Sequence, residues 1–292
     1  MTAESEMAKI SLREEVNFLL TNRIPRQFAT RAVGWLSRIE SPLLARAAIA
    51  VWRHFAELDF SDSGVERFAS LHACFTRPLK PGARPVDPDP RVLTSPCDAI
   101  VGAGGRIEGE ELLQVKGLRY RLAELVADPV LVRRYADGAF VTLRLTSSMY
   151  HRFHAPYDCT VVRVGYIAGD TWNVNPIALK RVRRLFCRNE RAVVECALAG
   201  ADAVVTLVPV AAILVAGIRL HCLDAPLVRS HRGKAPIPCR AAYAKGAEMG
   251  WFEHGSTIIV LTPKGFALCE GVREGATIRM GQKLMSLPRC AS

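Results

Sequence analysis

Five prolines fall within the thirteen residues from Pro78 to Pro90, and the chain has a different texture on either side of them. A run reading Pro-Leu-Lys-Pro-Gly-Ala-Arg-Pro-Val-Asp-Pro-Asp-Pro is neither helix nor interior strand. Each proline lacks an N–H donor and has a fixed φ. The run therefore predicts a rigid connector at 78–90. Upstream, from about Ser11 to Phe60, the pattern is helical. Leu12, Val16, Leu19 and Leu20 recur at helical spacing until Pro25 interrupts. Arg26 to Ile39 forms a second segment, with Phe28, Val33, Trp35 and Leu36 on its apolar side. Pro42 suits the first turn of a third, with Ser41 as its cap.

Downstream, short β-branched runs alternate with turn residues: Ala99 to Val101, Phe140 to Leu143, Thr160 to Val162, Ala192 to Val194, Ala203 to Val205 and Thr257 to Leu261. Leu118 to Leu125 reads as one short helix. The fold class expected is α+β: N-terminal amphipathic helices, then a mostly antiparallel β catalytic core. The organisation expected is a helical region at 1–77, the connector, and a β-rich core at 91–292.

The balance of 39 basic against 28 acidic residues gives +11, which favours anionic partners. Charge alone leaves open a lipid surface, a nucleic acid or an acidic substrate. The helical region favours lipid, the alternative being that its helices pack on the rest of the protein or on a second subunit. Six arginines lie between Arg23 and Arg53 against one acid, Glu40. Basic amphipathic helices with tryptophan suit the interface of water and anionic lipid, so no nucleic-acid partner is expected. The longest uncharged apolar stretch, Ala203 to Ile218, contains Pro209 and falls short of the ~20 residues a spanning helix needs. It reads as two buried strands, and any membrane contact would be peripheral. Nine scattered cysteines without a C-x-x-C pair fit a reducing compartment rather than a disulfide framework or a zinc site. Met1 to Lys9 is polar, with Glu4 and Glu6, and does not look like a signal peptide. The location expected is the cytoplasmic face of the cell membrane.

Four segments carry the candidate chemistry. Ser95-Pro96-Cys97-Asp98 follows the connector. Tyr150-His151-Arg152-Phe153-His154-Ala155-Pro156 follows the strand Phe140 to Leu145. Lys245-Gly246-Ala247-Glu248-Met249-Gly250-Trp251-Phe252 leads into Glu253-His254-Gly255-Ser256-Thr257. Singly, each has a plain structural explanation: Asp98 as a turn residue, Glu248 as a structural charge, Gly-Ser-Thr as a turn. The two histidines have no further ligands near them in sequence, so no metal is expected. Together, an aspartate, an imidazole and a serine can activate the hydroxyl, the imidazole taking its proton and the carboxylate orienting the ring. A Gly-Ser junction entering a strand can also be a place where a chain cuts its own backbone. No Gly-x-Ser-x-Gly is present, which argues against an α/β-hydrolase.

From Phe75-Thr76-Arg77-Pro78-Leu79 to Met280-Gly281-Gln282 the chain resembles the bacterial phosphatidylserine decarboxylase proenzymes. The resemblance runs through Arg84-Pro85-Val86-Asp87, Gln114-Val115-Lys116-Gly117, the Tyr-His-Arg-Phe-His-Ala-Pro block, Leu185 to Arg191, Val215-Ala216-Gly217, Lys-Gly-x-Glu-Met-Gly-x-Phe and Gly-Ser-Thr. It implies cleavage between Gly255 and Ser256 into a β chain, 1–255, and an α chain, 256–292. Ser256 would become the pyruvoyl cofactor. Asp98 and His154 would complete the self-cleavage triad, and His151 would serve as proton donor or orienting group. The reaction implied converts phosphatidylserine to phosphatidylethanolamine and CO₂ through a Schiff base, and a homodimer is a family expectation. In three places the chain departs from the family pattern. His254 stands where leucine is usual, and Ala99 where glycine is usual. Asn173 stands where many members carry a serine near the substrate, which makes it a candidate substrate contact. Three alternatives stay open: a pyruvoyl enzyme acting on another serine lipid or a soluble amino acid, an uncleaved serine hydrolase, and a non-catalytic lipid-binding protein.

Overall fold

The computed structural model describes residues 15, 26–54, 56–113, 119–212, 217–224, 227, 233, 235–253 and 256–288. The helical pattern around Leu12 to Leu20, apart from Glu15, lies outside the described residues, as do His254 and Gly255. What is described is α+β with a mostly antiparallel β core, as the change of texture predicts.

The helical region holds the helices Arg26–Ser37 and Pro42–Arg53. Ser41 caps the second, its side chain accepting from Leu44 N, and Pro42 occupies the first turn where a missing N–H costs nothing. A third, short helix, Leu71–Phe75, is capped by Ser70. These helices rest on the core through particular contacts. The rings of Trp52 and Phe75 lie 4.4 Å apart, and Phe75 in turn meets the His151 ring edge-on at 5.6 Å. On the other side Trp35, Leu43 and Val51 are 68%, 78% and 63% exposed, an apolar stripe the fold leaves uncovered.

The core is an eight-stranded sheet in the order β11 (Ile237–Tyr243), β7 (Cys159–Ile167), β8 (Arg191–Leu198), β9 (Val204–Ala211), β13 (Ser256–Thr262), β5 (Ala139–Arg144), β2 (Ala99–Arg106), β15 (Thr277–Ile278). A smaller sheet runs β10 (Ile218–Leu220), β12 (Glu248–Phe252), β6 (Arg152–His154). Two minor ones join β1 (Val92–Thr94) to β16 (Lys283–Ser286) and β14 (Ala267–Leu268), and β3 (Glu111–Leu113) to β4 (Arg119–Arg121). The stretch Ala203 to Ile218 does contain two strands, β9 and the start of β10. All seven residues of β13 are buried, with β5 on one edge and β9 on the other. A strand covered on both faces needs apolar side chains throughout, which Ile258 to Leu261 provide at roughly 1.5–3 kcal/mol each.

The short helix read over Leu118 to Leu125 is divided differently. Arg119–Arg121 pairs as a strand with Glu111–Leu113, and the helix begins only at Leu122 and ends at Val126. Tyr120 is buried opposite Leu112 while Arg119 and Arg121 point to solvent, so period-two burial wins over helix propensity there. The proline-rich connector is also packed rather than merely spanning. Asp87 N donates to Gly281 O, and Val86 fills the space beside Gly246, where a Cβ would come within 2.4 Å of it.

Candidate active site

Two chain segments carry His151, His154 and Ser256. One runs from β5 to β6, the other from β12 to β13, and they lie antiparallel across both sheets. Thr257 pairs with Arg144, Leu145 N donates to Ser256 O at 2.9 Å, Phe252 N donates to His151 O at 2.9 Å, and Trp251 pairs with Arg152. The crossing from the small sheet to the large one therefore lies between Phe252 and Ser256. The matching crossing, Leu145 to His151, runs beside it.

Ser256 opens β13 opposite Ala211 of β9 and is fully buried. Its Oγ has no hydrogen-bond partner among the described residues. A buried hydroxyl without a partner costs about 1–3 kcal/mol; the Thr257 and Thr142 hydroxyls share this state among the described residues. His151 is also fully buried, its ring set against Phe75.

His154 is buried and both ring nitrogens are engaged. Nδ1 is 2.8 Å from Gly246 O, and Nε2 is 2.9 Å from the Tyr150 hydroxyl. A carbonyl only accepts, so Nδ1 carries the hydrogen, and Nε2 of the neutral ring accepts from Tyr150. Burial pushes the imidazole below its ordinary pKa of 6.5; the Gly246 bond and the Glu248 and Asp98 carboxylates act more weakly the other way. The ring is thus a neutral base with its lone pair fixed in direction. Gly246 supplies that carbonyl from a turn with φ +82°, a conformation that favours glycine.

Asp98 sits just before β2. Its carboxylate accepts from Arg84 Nε at 2.9 Å and Nη2 at 2.7 Å, and Oδ1 accepts from Met280 N at 2.8 Å. Arg84 also reaches Asp62 at 2.7 Å, and its bonds to the two carboxylates hold its charge more firmly still. Asp98, Arg84 and Tyr150 line one cavity of about 200 Å³. The Asp98 segment is tied to the histidine by the bond from His154 N to Pro96 O at 2.8 Å. Asp98, Tyr150 and His154 are thereby neighbours, but Asp98, His154 and Ser256 are not linked to one another by direct hydrogen bonds. Arg84 holds the carboxylate and Tyr150 holds the imidazole.

Asn173 turns its Oδ1 onto Asn175 N at 2.9 Å, shaping the entry to the helix Pro176–Arg181. Its neighbour Trp172 exchanges two 2.8 Å bonds with buried Asn189, whose Nδ2 also donates to Ala211 O, on the residue opposite Ser256. Two bonded steps thus lead from the Asn173 loop to Ala211, the residue paired with Ser256 across the β9–β13 ladder. Glu248 is a structural charge, paired with Arg152 at 2.9 Å and His221 at 2.8 Å. Reading the residues in order missed Arg84, Tyr150 and the Gly246 carbonyl. Arg84 and Tyr150 stand in quoted motifs, but nothing in their spacing says which groups they touch.

Residues 71–286 match the family model for phosphatidylserine decarboxylase. Curated relatives agree over most of the chain. The phosphatidylserine decarboxylase proenzyme of Anaeromyxobacter sp. (strain K) is 37% identical over 273 residues, covering 89% of this chain and 94% of that protein. That of Coxiella burnetii (strain RSA 331 / Henzerling II) is 35% identical over 254 residues, 82% of this chain and 87% of the relative. That of Myxococcus xanthus (strain DK1622) is 33% identical over 284 residues, 94% and 99%. The chain belongs to the phosphatidylserine decarboxylase family of carboxy-lyases.

Proposed function

We propose that the chain cuts itself between Gly255 and Ser256, forms a pyruvoyl group from Ser256, and decarboxylates phosphatidylserine to phosphatidylethanolamine and CO₂. The buried Ser256 Oγ, without a hydrogen-bond partner among the described residues and at the start of β13, carries this reading. No other described group competes for its proton or its lone pairs, which fits a hydroxyl kept for reaction.

In maturation, His154 takes the Ser256 proton at Nε2, the nitrogen left unprotonated by the Gly246 bond. The Tyr150 hydroxyl gives way to Ser256 in the reacting arrangement. Asp98, held by Arg84, keeps negative charge beside the imidazolium as it forms. Ser256 Oγ adds to the Gly255 carbonyl carbon, and the Ser256 nitrogen leaves, converting amide to ester. Loss of the Ser256 α-proton expels the Gly255 carboxylate and leaves dehydroalanine. Tautomerisation and addition of water release ammonia and leave a ketone. The two chains stay together without a covalent bond. β13 lies between β5 and β9, and β16 pairs with β1.

The ketone supplies an electron sink for the carbon that loses CO₂. His151, shielded from water by Phe75, returns the proton to that carbon. The Asn173 loop contacts the serine head group. Long acyl chains stay in the bilayer, so the protein docks on it peripherally, at the cytoplasmic face. Trp35, Leu43 and Val51 form the apolar contact, with Arg46 and Arg53 meeting anionic head groups at up to ~1 kcal/mol each. Among the described residues no helix is long and apolar enough to cross a membrane. A homodimer is part of the proposal as a family property.

Two variants separate the steps. His154→Ala is expected to remain one chain. His151→Ala is expected to cleave and yet to decarboxylate at least about a hundredfold more slowly. Wild-type behaviour in both would refute these roles.

A further inference from the structure

The residue three places before Ser256 is a buried acid that the reaction above does not use. Glu253 is 3% exposed, a burial that a carboxylate tolerates only when paired. Its Oε2 accepts from Arg38 Nη2 at 2.5 Å, across 215 residues of sequence. Its Oε1 lies 3.8 Å from Arg219 Nε in β10, and its backbone N–H reaches Gly217 O at 3.4 Å. Arg38 follows the last turn of the Arg26–Ser37 helix. The sequence groups this arginine with those facing lipid, but its guanidinium is turned onto Glu253. The residue that follows β12 is therefore held by charge from two directions, two residues ahead of the Gly255 carbonyl.

We propose that Glu253 is a positioning residue for self-cleavage, and that Arg38 is the group that holds it. The inference rests on the reading that the chain cuts itself after Gly255. Nucleophilic attack of Ser256 Oγ on the preceding carbonyl requires both on one path of approach. A displacement of the order of an ångström at such a centre costs about a hundredfold in rate. The Arg38–Glu253 pair supplies an anchor on the carbonyl side, while the pairing of β13 with β5 and β9 anchors the serine side.

The test uses full-length chain made by cell-free translation, timing the appearance of the fragment that begins at Ser256. Glu253→Gln and Arg38→Gln are each expected to slow cleavage on the order of ten- to a hundredfold. The double variant is expected to be no slower than the slower single, because both act through one pair. Arg38→Lys, which keeps the charge, is expected to restore most of the rate. Once cleaved, Glu253→Gln is expected to decarboxylate detergent-dispersed phosphatidylserine at the wild-type kcat. A merely structural role would lower kcat together with the cleavage rate, and that result would overturn the proposal. So would wild-type cleavage rates in both single variants, or a double effect equal to the product of the singles. If Glu253→Gln does not fold, Arg38→Gln decides, since that side chain is half exposed. A wild-type chain that never cleaves would refute the underlying reading instead.

Discussion

Replacing Tyr150 by phenylalanine removes one oxygen and leaves the ring in place, so no cavity forms. What is lost is the 2.9 Å bond to His154 Nε2. That bond is donated to the neutral imidazole and so stabilises the base over its protonated form. Both residues are buried, so solvent does not screen the effect. A net hydrogen bond is worth about 0.5–1.5 kcal/mol. Its loss removes that preference for the neutral ring and so raises the His154 pKa. Burial holds that pKa below 6.5 in the wild type. The cleavage rate follows the neutral fraction, so its acid limb lies below 6.5 in the wild type and moves upward in Tyr150→Phe. The assay is the pH dependence of fragment formation by freshly translated chain, between about pH 5 and 8. The plateau above the midpoint holds or rises, because the variant no longer has a hydroxyl competing for Nε2. An unmoved or lowered midpoint would refute the reasoning. So would a plateau tenfold lower at an unchanged midpoint, on the order expected of a reacting group.

Arg84→Ala leaves Asp98 buried with, among the described residues, the Met280 N–H as its hydrogen-bond donor. Loss of one partner of a buried pair costs about 3–5 kcal/mol, so calorimetry is expected to show a clear fall in Tm. Glutamates at both Trp35 and Leu43, tested in the full chain, are expected to lower co-sedimentation with anionic vesicles while leaving Tm within a few degrees, since both positions are exposed. Because the folded-state pKa of His154 is depressed, the unfolded chain binds the extra proton first. Stability is expected to fall as pH drops below about 6.5, measurable by denaturant titration; His154→Ala is expected to show a shallower slope, keeping the share of His72, whose pKa burial also lowers.

The fold class was legible because its signals are local. The prolines at 78–90 separate two textures, Ser41-Pro42 marks a helix start, and Ile258 to Leu261 announces a strand buried on both faces. The strand at Arg119–Arg121 was not, because its partner Glu111–Leu113 and the burial of Tyr120 are tertiary facts. In the site, residue types pointed to Asp98, His151, His154 and Ser256; His151 and Ser256 end the two adjacent crossings, His154 lies in β6, and Asp98 stands on a separate segment before β2. What spacing could not convey is who holds whom. Arg84 reads as part of a connector until its fork is seen on Asp98. Tyr150 reads as an aromatic beside a histidine until its hydroxyl is seen on Nε2. Arg38 reads as one more lipid-facing arginine, and only the fold, joining residues 215 apart, turns it onto Glu253.

The central claim is that Ser256 becomes the cofactor. Intact mass of the purified full-length protein under denaturing conditions tests it most directly. The account predicts two chains, residues 1–255 and the 37 residues 256–292. The shorter is predicted to be lighter by one ammonia than the same peptide beginning with serine, and refractory to N-terminal sequencing. A single chain of 292 residues with an intact Gly255–Ser256 bond would contradict it.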